Sequence, residues 1–360
     1  MSNRSPRASG YFRTGYAQEF ALTQTRLERV SLIVFAFLLA CYPLIATAFY
    51  LDLACQVFLA SIGALSLMLL TGYAGQVSLG HAGLLSAGAF TAGILFREFN
   101  APFWITVPAA ALAGALLGVI FGLPSLRLRG LYLAVSTLAL HFVVVYLGGE
   151  YETRRGFSTG ITINPPRIGD YAISGPRVWY FVLLLFAAAA LLVCLNLLRS
   201  RTGRAWRAIR AHETVAEALG IGVASHKLLA FVISSAMAAV SGALFAYYRG
   251  FVSVEAFSLF LSIQYIAMII VGGMGSLLGA LLGALFVTLF PYIIEAGLMK
   301  LPNAQGYAGV LFAINYAAFG VVMIFFLVFE PLGLVGIWRR LQTYFLLWPF
   351  KHRPLAGPRK

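Results

Sequence analysis

The chain consists largely of long apolar runs separated by short polar segments, and these runs restrict its fold more than any other feature. Of its 360 residues, 61% are hydrophobic and 11% are charged. Soluble domains are about 45–50% apolar and about 25% charged. A soluble fold has too little interior to bury this much apolar surface, so lipid must cover the remainder. We therefore predict an all-α polytopic membrane protein.

The lengths of the apolar runs predict about ten transmembrane helices. A bilayer core about 30 Å thick needs roughly 20 apolar residues in a helix. The candidate spans are 30–50, 53–70, 82–96, 103–123, 131–147, 178–198, 228–248, 259–271, 277–295 and 307–329. The short spans 82–96 and 259–271 are expected to be broken helices or to extend into the neighbouring glycine-rich segments.

The basic residues predict the orientation. If the N-terminus is cytoplasmic and the chain crosses ten times, the inner segments hold 19 of the 26 Lys and Arg residues. This matches the excess of positive charge found in cytoplasmic loops. We expect a cytoplasmic N-terminal arm (1–29), a transmembrane domain (30–329) and a cytoplasmic C-terminal tail (330–360). The net charge of +14 lies between the spans, which argues against nucleic-acid binding and favours contact with anionic lipid.

Small residues at helical spacing indicate where spans pack together. Two series of glycines recur every fourth residue: Gly114, Gly118 and Gly122, and Gly275, Gly279 and Gly283. Because lipid provides little hydrophobic drive between helices, close packing depends on such stripes. We therefore assign these glycines to helix–helix contacts.

An uncharged, glycine-rich segment, residues 71–83, lies between two apolar runs. Irregular backbone at membrane depth is tolerated where it is buried in protein or lines a wet cavity. One interpretation places Gln76, Ser78 and His81 on a substrate pathway. The other makes the segment an inner loop in which Ser78 caps a helix. The residues favour neither.

A short internal similarity adds candidates to this pathway. Residues 68–75 (MLLTGYAG) resemble residues 268–275 (MIIVGGMG). Transporters are often built from duplicated halves whose glycine-interrupted segments mark the solute path. The candidate pathway residues are then Gly72, Gly75, Gln76, Ser78, His81, Gly272 and Gly275. Chance similarity in a glycine-rich chain is the alternative.

The inner segment 199–227 is far more polar than its flanks. Its apolar spacing suits a short amphipathic helix that ends at Gly220. Such a helix either docks into a groove on a cytoplasmic motor or lies on the membrane surface. The acidic Glu213 and Glu217 weaken the second alternative.

The outer loop 148–177 is best explained as a solvated connector, with contact to an external partner as the alternative.

Other features of the sequence exclude several kinds of site. The chain contains no P-loop motif for ATP, no nucleophile–base constellation and no metal-ligand spacing of cysteines. Ionisable residues are nearly missing from the spans, whereas ion-coupled carriers usually place carboxylates there. We assign no catalytic residue and no metal site.

Several segments together resemble one family. Residues 69–83 (LLTGYAGQVSLGHAG) look like the signature of permease subunits of branched-chain amino acid ABC importers. Residues 126–139, 201–210 and 271–276 are similar to that family too. The closing segment 329–340 (FEPLGLVGIWRR) points to the M-type (LivM-like) subunit.

The resemblance implies an ABC importer permease fold and a complex in the bacterial cell inner membrane. Its partners would be an H-type permease subunit, two ATP-binding subunits and a periplasmic solute-binding protein. ATP would be bound by the partner subunits, and this chain would need no cofactor. The coupling segment would be 203–222. Its candidate ATPase-coupling residues are Gly203, Arg207, Arg210, Glu213, Glu217, Ala218 and Gly220.

The implied solutes are branched-chain amino acids. Closely similar permeases import urea or short amides, so these solutes remain alternatives. A stand-alone secondary carrier or channel is an alternative of a different class, since it needs only a pore-like glycine segment.

Overall fold

The computed structural model describes residues 26–126, 130–156, 160–168, 171–298, 311–330 and 332–347. These residues are predominantly helical. All but the last four residues of the predicted arm 1–29 lie outside the described part of the chain. The same is true of residues 348–360 of the predicted tail.

The described helices are numbered in chain order. They are α1 (Arg26–Ile45), α2 (Ala48–Leu67), α3 (His81–Phe99), α4 (Phe103–Ser125), α5 (Leu131–Arg155), α6 (Pro176–Arg199), α7 (Arg201–Ala211), α8 (Glu213–Ala218), α9 (Val223–Arg249), α10 (Leu259–Gly272), α11 (Leu277–Leu298), α12 (Leu311–Phe329) and α13 (Gly333–Leu347). A π-helical turn, Met68–Tyr73, continues α2, and a 3-10 turn, Val254–Phe257, precedes α10.

Six helices of the described part are long and apolar enough to cross a membrane: α2 with its π-turn, α4, α5, α6, α9 and α11. The pair α12 and α13, bent by 56°, brings the number to seven if it forms one span. The prediction of a multi-pass, helical membrane protein is therefore confirmed, but the count of about ten spans is not.

The difference arises from the shorter predicted spans. Segments 82–96 and 259–271 fall within α3 and α10. Segment 30–50 is wrong at its end, because α1 ends at Ile45 and residues 48–50 already belong to α2. Helices α1 and α10 are apolar but short. The first ten residues of α3, His81–Phe90, are all buried. A helix that is covered by protein needs no lipid-facing surface, so its composition differs from that of an exposed span.

Helix α9 lies at the centre of the bundle and packs against α4, α3 and α2. Gly114, Gly118 and Gly122 of α4 all face α9. A Cβ atom added at Gly114 would lie 2.6 Å from the Ser235 carbonyl oxygen, and one at Gly118 would lie 2.9 Å from Val232 Cα. The two backbones therefore approach as closely as they do only because these positions lack side chains.

Helices α10 and α11 pack in a similar way. A Cβ atom at Gly283 would overlap the Met268 carbonyl, and one at Gly279 would lie 2.6 Å from the Gly273 carbonyl oxygen. Gly279 and Gly283 thus bring α11 against the end of α10. The third glycine of the series, Gly275, precedes α11 and lies beside Arg210, so its assignment to a helix–helix contact was wrong.

Short strands lie at the end of the bundle where α5 and α9 terminate. β1 (Ile161–Thr162) pairs antiparallel with β4 (Phe251–Val252), and β2 (Arg167–Ile168) pairs with β3 (Tyr171–Ala172). The first eight residues of the predicted loop 148–177 are helical, because α5 continues to Arg155. An ion pair between Glu150 and Arg154 supports this last turn, and Gly156 ends it in a left-handed conformation.

Candidate coupling junction and solute cavity

The end of α2 is irregular. The turn Met68–Tyr73 is π-helical. The backbone N–H of Gln76 donates a hydrogen bond to the Leu70 carbonyl at 3.0 Å. Single π-turns inside helices are frequent at functional sites. Gly75 follows with φ +73°, a conformation that other residues adopt with strain.

The loop between α10 and α11 has a comparable structure. Gly273 and Gly275 have φ values of +114° and +88°. A Cβ atom added at Gly72 would lie 3.2 Å from the Gly275 backbone nitrogen. The structure therefore brings segments 68–75 and 268–275, which resemble each other in sequence, into direct contact.

The side chain of Arg210, in the last turn of α7, contacts both segments. Its Nη1 atom donates a hydrogen bond to the Gly72 carbonyl. A Cβ atom added at Gly275 would lie 2.8 Å from that same nitrogen, and one at Gly75 would lie 3.3 Å from Arg210 Cγ. We call the region formed by residues 68–75, residues 268–275 and Arg210 the coupling junction.

The segment that carries Arg210 is also attached to the start of α9. Trp206 Nε1 donates to the His226 carbonyl at 2.8 Å, and Lys227 Nζ lies 2.8 Å from a Glu213 carboxylate oxygen. Gln76 Nε2 donates to the Lys227 carbonyl at 3.0 Å. The inner segment, the end of α2 and the start of α9 therefore form one connected unit.

Two other candidate coupling residues tie α7 to α6. Gly203 packs closely against the backbone of Leu197 and Leu198. Arg207 donates to the Leu198 carbonyl at 2.9 Å. These two contacts hold the start of α7 against the last turn of α6.

The prediction of a single amphipathic helix in this segment is wrong in one respect. His212 has extended backbone angles (φ −154°, ψ 105°), so it ends α7 and precedes α8. The predicted end at Gly220 is observed: Ile221 and Gly220 donate back to the Ala216 and Glu217 carbonyls, and Gly220 has φ +82°. This pattern is a Schellman helix end.

The break leaves apolar side chains at the tip of the segment. Val215 is 55% exposed and Leu219 is 74% exposed. Glu217 and Ala218 beside them are exposed as well. Exposed apolar side chains rimmed by polar ones mark a protein-binding surface where they form one contiguous patch, so this tip is a candidate for such a surface.

The predicted pathway side chains are buried. Gln76 is held by Lys227, as described above. His81 Nε2 lies 3.0 Å from the Gly63 carbonyl oxygen and 3.2 Å from Ser66 Oγ. Ser78 Oγ has no hydrogen-bond partner among the described residues, and Gly80 occupies the N-cap position of α3. The structure thus does not support Ser78 as a helix cap, while the pathway role of these residues stays a prediction.

A cavity of about 290 Å³ lies between α2, α3, α9, α10 and α11. None of the predicted pathway residues lines it. Its polar lining residues are Gln56, Ser241, Arg249, Gln264, Tyr265, Thr288 and Tyr292. Tyr265 connects the cavity to the predicted pathway, because its ring contacts that of His81 at 5.0 Å between centroids.

Sequence reasoning missed the residues of this cavity. Gln56 and Gln264 interrupt apolar runs at 53–70 and 259–271, and this was the available signal. Arg249 directly follows the predicted span 228–248 and resembles an ordinary end-of-span charge. Among the described residues, no cluster of three or more His, Cys, Asp or Glu side chains is arranged to hold a metal ion.

Comparison with known proteins places these features in a family. The family described as branched-chain amino acid transport system / permease component matches residues 49–328. The high-affinity branched-chain amino acid transport system permease protein LivM of Escherichia coli (strain K12) is 33% identical over 273 residues. That alignment covers 69% of this chain and 64% of the relative.

Two archaeal relatives are more distant. The probable branched-chain amino acid transport permease protein LivM of Methanocaldococcus jannaschii is 27% identical, over 64% of this chain and 67% of the relative. The probable LivH permease of the same organism is 26% identical, over 71% of this chain and 82% of the relative. No solved structure matches the chain significantly.

The match over residues 49–328 shows that the chain belongs to the family of permease components of branched-chain amino acid transport systems.

Proposed function

We propose that this chain is the permease subunit of an ABC importer that moves branched-chain amino acids across the bacterial inner membrane. The observation that carries the proposal is the contact of Arg210 with the Gly72 carbonyl. It connects the segment with the exposed tip to the glycine segments between the spans. A subunit without an ATP site of its own needs such a connection to a motor.

The proposed complex contains an H-type permease subunit, two ATP-binding subunits and a periplasmic solute-binding protein. Val215 and Leu219 form the centre of the surface that docks on the ATP-binding subunits. ATP hydrolysis takes place on those subunits, and this chain binds no cofactor. Both termini of the chain are cytoplasmic, and ten crossings account for the distribution of basic residues.

The proposed coupling works through the connected unit described above. Movement of the ATP-binding subunits displaces α7 and α8. Because Trp206 and Glu213 attach these helices to the start of α9, α9 moves with them. Arg210 transmits the same movement to the ends of α2 and α10 at the coupling junction.

The proposal is tested by uptake of radiolabelled leucine into liposomes that contain the full complex. Wild-type complex should take up leucine only with ATP. Arg210→Ala should lower uptake about tenfold or more, because a hydrogen bond to a charged group contributes about 1.5–3 kcal/mol. Assembly and basal ATP hydrolysis should persist, since Trp206 and Glu213 still attach the segment.

Arg204→Ala is the matched control, because Arg204 is an exposed arginine of the same helix. Among the described residues, its guanidinium donates to the nearby Arg199 carbonyl and does not contact the coupling junction. Normal uptake by Arg210→Ala would contradict the coupling role. Gradient-driven flux through this chain alone would favour a secondary carrier. Uptake of urea but not leucine would favour the alternative solute.

A further inference from the structure

The walls of the 290 Å³ cavity combine a broad apolar lining with a few polar groups. Its apolar lining includes Leu59, Leu85, Phe245 and Met268. Small-molecule sites typically have this composition and volumes of about 300–1,000 Å³. The volume of the cavity lies just below that range, which suits a small solute with an aliphatic part.

Arg249 lies at the exposed end of this lining. It is the last residue of α9, and its guanidinium carbon is 5.9 Å from the ring centres of Phe245 and Tyr248. These rings hold the side chain in place through cation–π contact. Within the described residues, the guanidinium has neither a hydrogen-bond nor an ion-pair partner.

Asp52 is the acidic residue that is hydrogen-bonded to the lining residue Gln56. Asp52 accepts hydrogen bonds from Tyr248 OH and from Gln56 Nε2, the latter at 2.7 Å. Gln56 Oε1 accepts in turn from Tyr292 OH at 3.1 Å. This chain of bonds engages Asp52, Gln56 and Tyr292 on one side of the cavity. Arg249 is the charged residue of the lining that has no hydrogen-bond or ion-pair partner among the described residues.

Gln264 is a further polar lining residue without a hydrogen bond to the described residues. Its amide can donate and accept, whereas arginine donates in a planar fork that fits a carboxylate. The lining thus offers an anion-binding donor, an adaptable amide and aliphatic walls in one small space.

We propose that this cavity is a solute site within the permease itself, in which Arg249 binds the carboxylate of an α-amino acid. Gln264 contacts its polar end, and the aliphatic side chain lies against Leu59, Leu85 and Met268. The inference rests on the proposed function and specifies how this subunit recognises its solute. Met268 also begins the segment 268–275, so the bound solute contacts an element of the coupling junction.

The test is equilibrium binding of radiolabelled leucine to the permease–ATPase complex in lipid nanodiscs, without the solute-binding protein. Two competitors separate the parts of the solute. 4-Methylpentanoate is leucine without its amine, and isopentylamine is leucine without its carboxylate. 4-Methylpentanoate should displace leucine, and isopentylamine should not.

Arg249→Gln should weaken leucine binding about tenfold to a hundredfold, as expected for the loss of a charge-assisted bond. Arg249→Lys should recover part of the loss, because it restores the charge but not the fork. Arg154→Gln is the control, since this exposed arginine pairs with Glu150 on its own helix and does not line the cavity.

Equal displacement by the two competitors, or wild-type binding by Arg249→Gln, would overturn the assignment of Arg249. If the wild-type complex takes up leucine while Arg249→Gln binds it normally, only this site is wrong. If the wild-type complex neither binds nor transports leucine, the proposed solute is wrong and the site falls with it.

Discussion

Glycines serve α4 and the coupling junction in different ways. The three α4 glycines that face α9 have ordinary helical backbone, and they matter because side chains there would strike the neighbouring helix. In the junction, Gly75, Gly273 and Gly275 have positive φ values that end helices and turn the chain. The first set provides space between rigid elements. The second set provides a backbone shape on which Arg210 rests, so the two regions should respond differently to the same kind of substitution.

The largest expected effect is on the α4–α9 contact. Gly114→Val should lower the free energy of unfolding by about 3 kcal/mol or more, because the Ser235 carbonyl belongs to a helix and cannot move aside. The melting temperature and the yield of purified complex would both fall. Leu112→Val is the control, since Leu112 lies on the same helix and is 71% exposed. A normal melting temperature for Gly114→Val would show that the two helices separate easily.

An intermediate effect is expected at the junction, and it should appear in transport more than in stability. Gly275→Ala forces a side chain into a positive-φ position, at about 1 kcal/mol or more, and displaces the Arg210 guanidinium. Leucine uptake per ATP hydrolysed should fall about tenfold. Gly156→Ala is the matched control, because Gly156 has φ +69° and no described atom lies within 4 Å of an added Cβ. Equal losses of uptake in both variants would mean that backbone strain alone is responsible.

The smallest effect is expected where a glycine serves neither purpose. Gly320 lies inside α12, and no described atom lies within 4 Å of an added Cβ. Gly320→Ala should change the free energy of unfolding by less than about 1 kcal/mol, in the stabilising direction, because alanine favours helix. Thermal melting of the complex measures this change. A fall of many degrees would reveal a partner subunit packed at this position.

Local sequence patterns predicted the helical elements well and their contacts less well. The apolar runs correspond to helices, and the fourfold glycine spacing coincides with α4 facing α9. The end of the inner segment at Gly220 was also predictable, because it depends on neighbouring residues only. The break at His212 was not, because no glycine or proline lies between Arg204 and Leu219 to signal it.

The contacts that define the site join distant parts of the chain. Arg210 was a candidate for coupling, but its partner Gly72 lies 138 residues away and offers only a backbone carbonyl. No pattern of side chains in the sequence predicts such a contact, because every residue has a backbone carbonyl. The cavity poses the same difficulty, because one polar residue in an apolar run does not show whether its side chain faces lipid, another helix or a cavity. Only the packing of five helices brings Gln56, Arg249 and Gln264 together.

The length of α9 has a mechanical consequence. Its 27 residues form a rod about 40 Å long. One end holds His226 and Lys227, which anchor the inner segment, and the other end holds Arg249 at the cavity. Because a continuous helix tilts as a whole, a push at the inner end must shift the guanidinium at the outer end. Access to the permease from the two sides of the membrane would then be coupled through one rigid helix. No series of intermediate side chains would be needed.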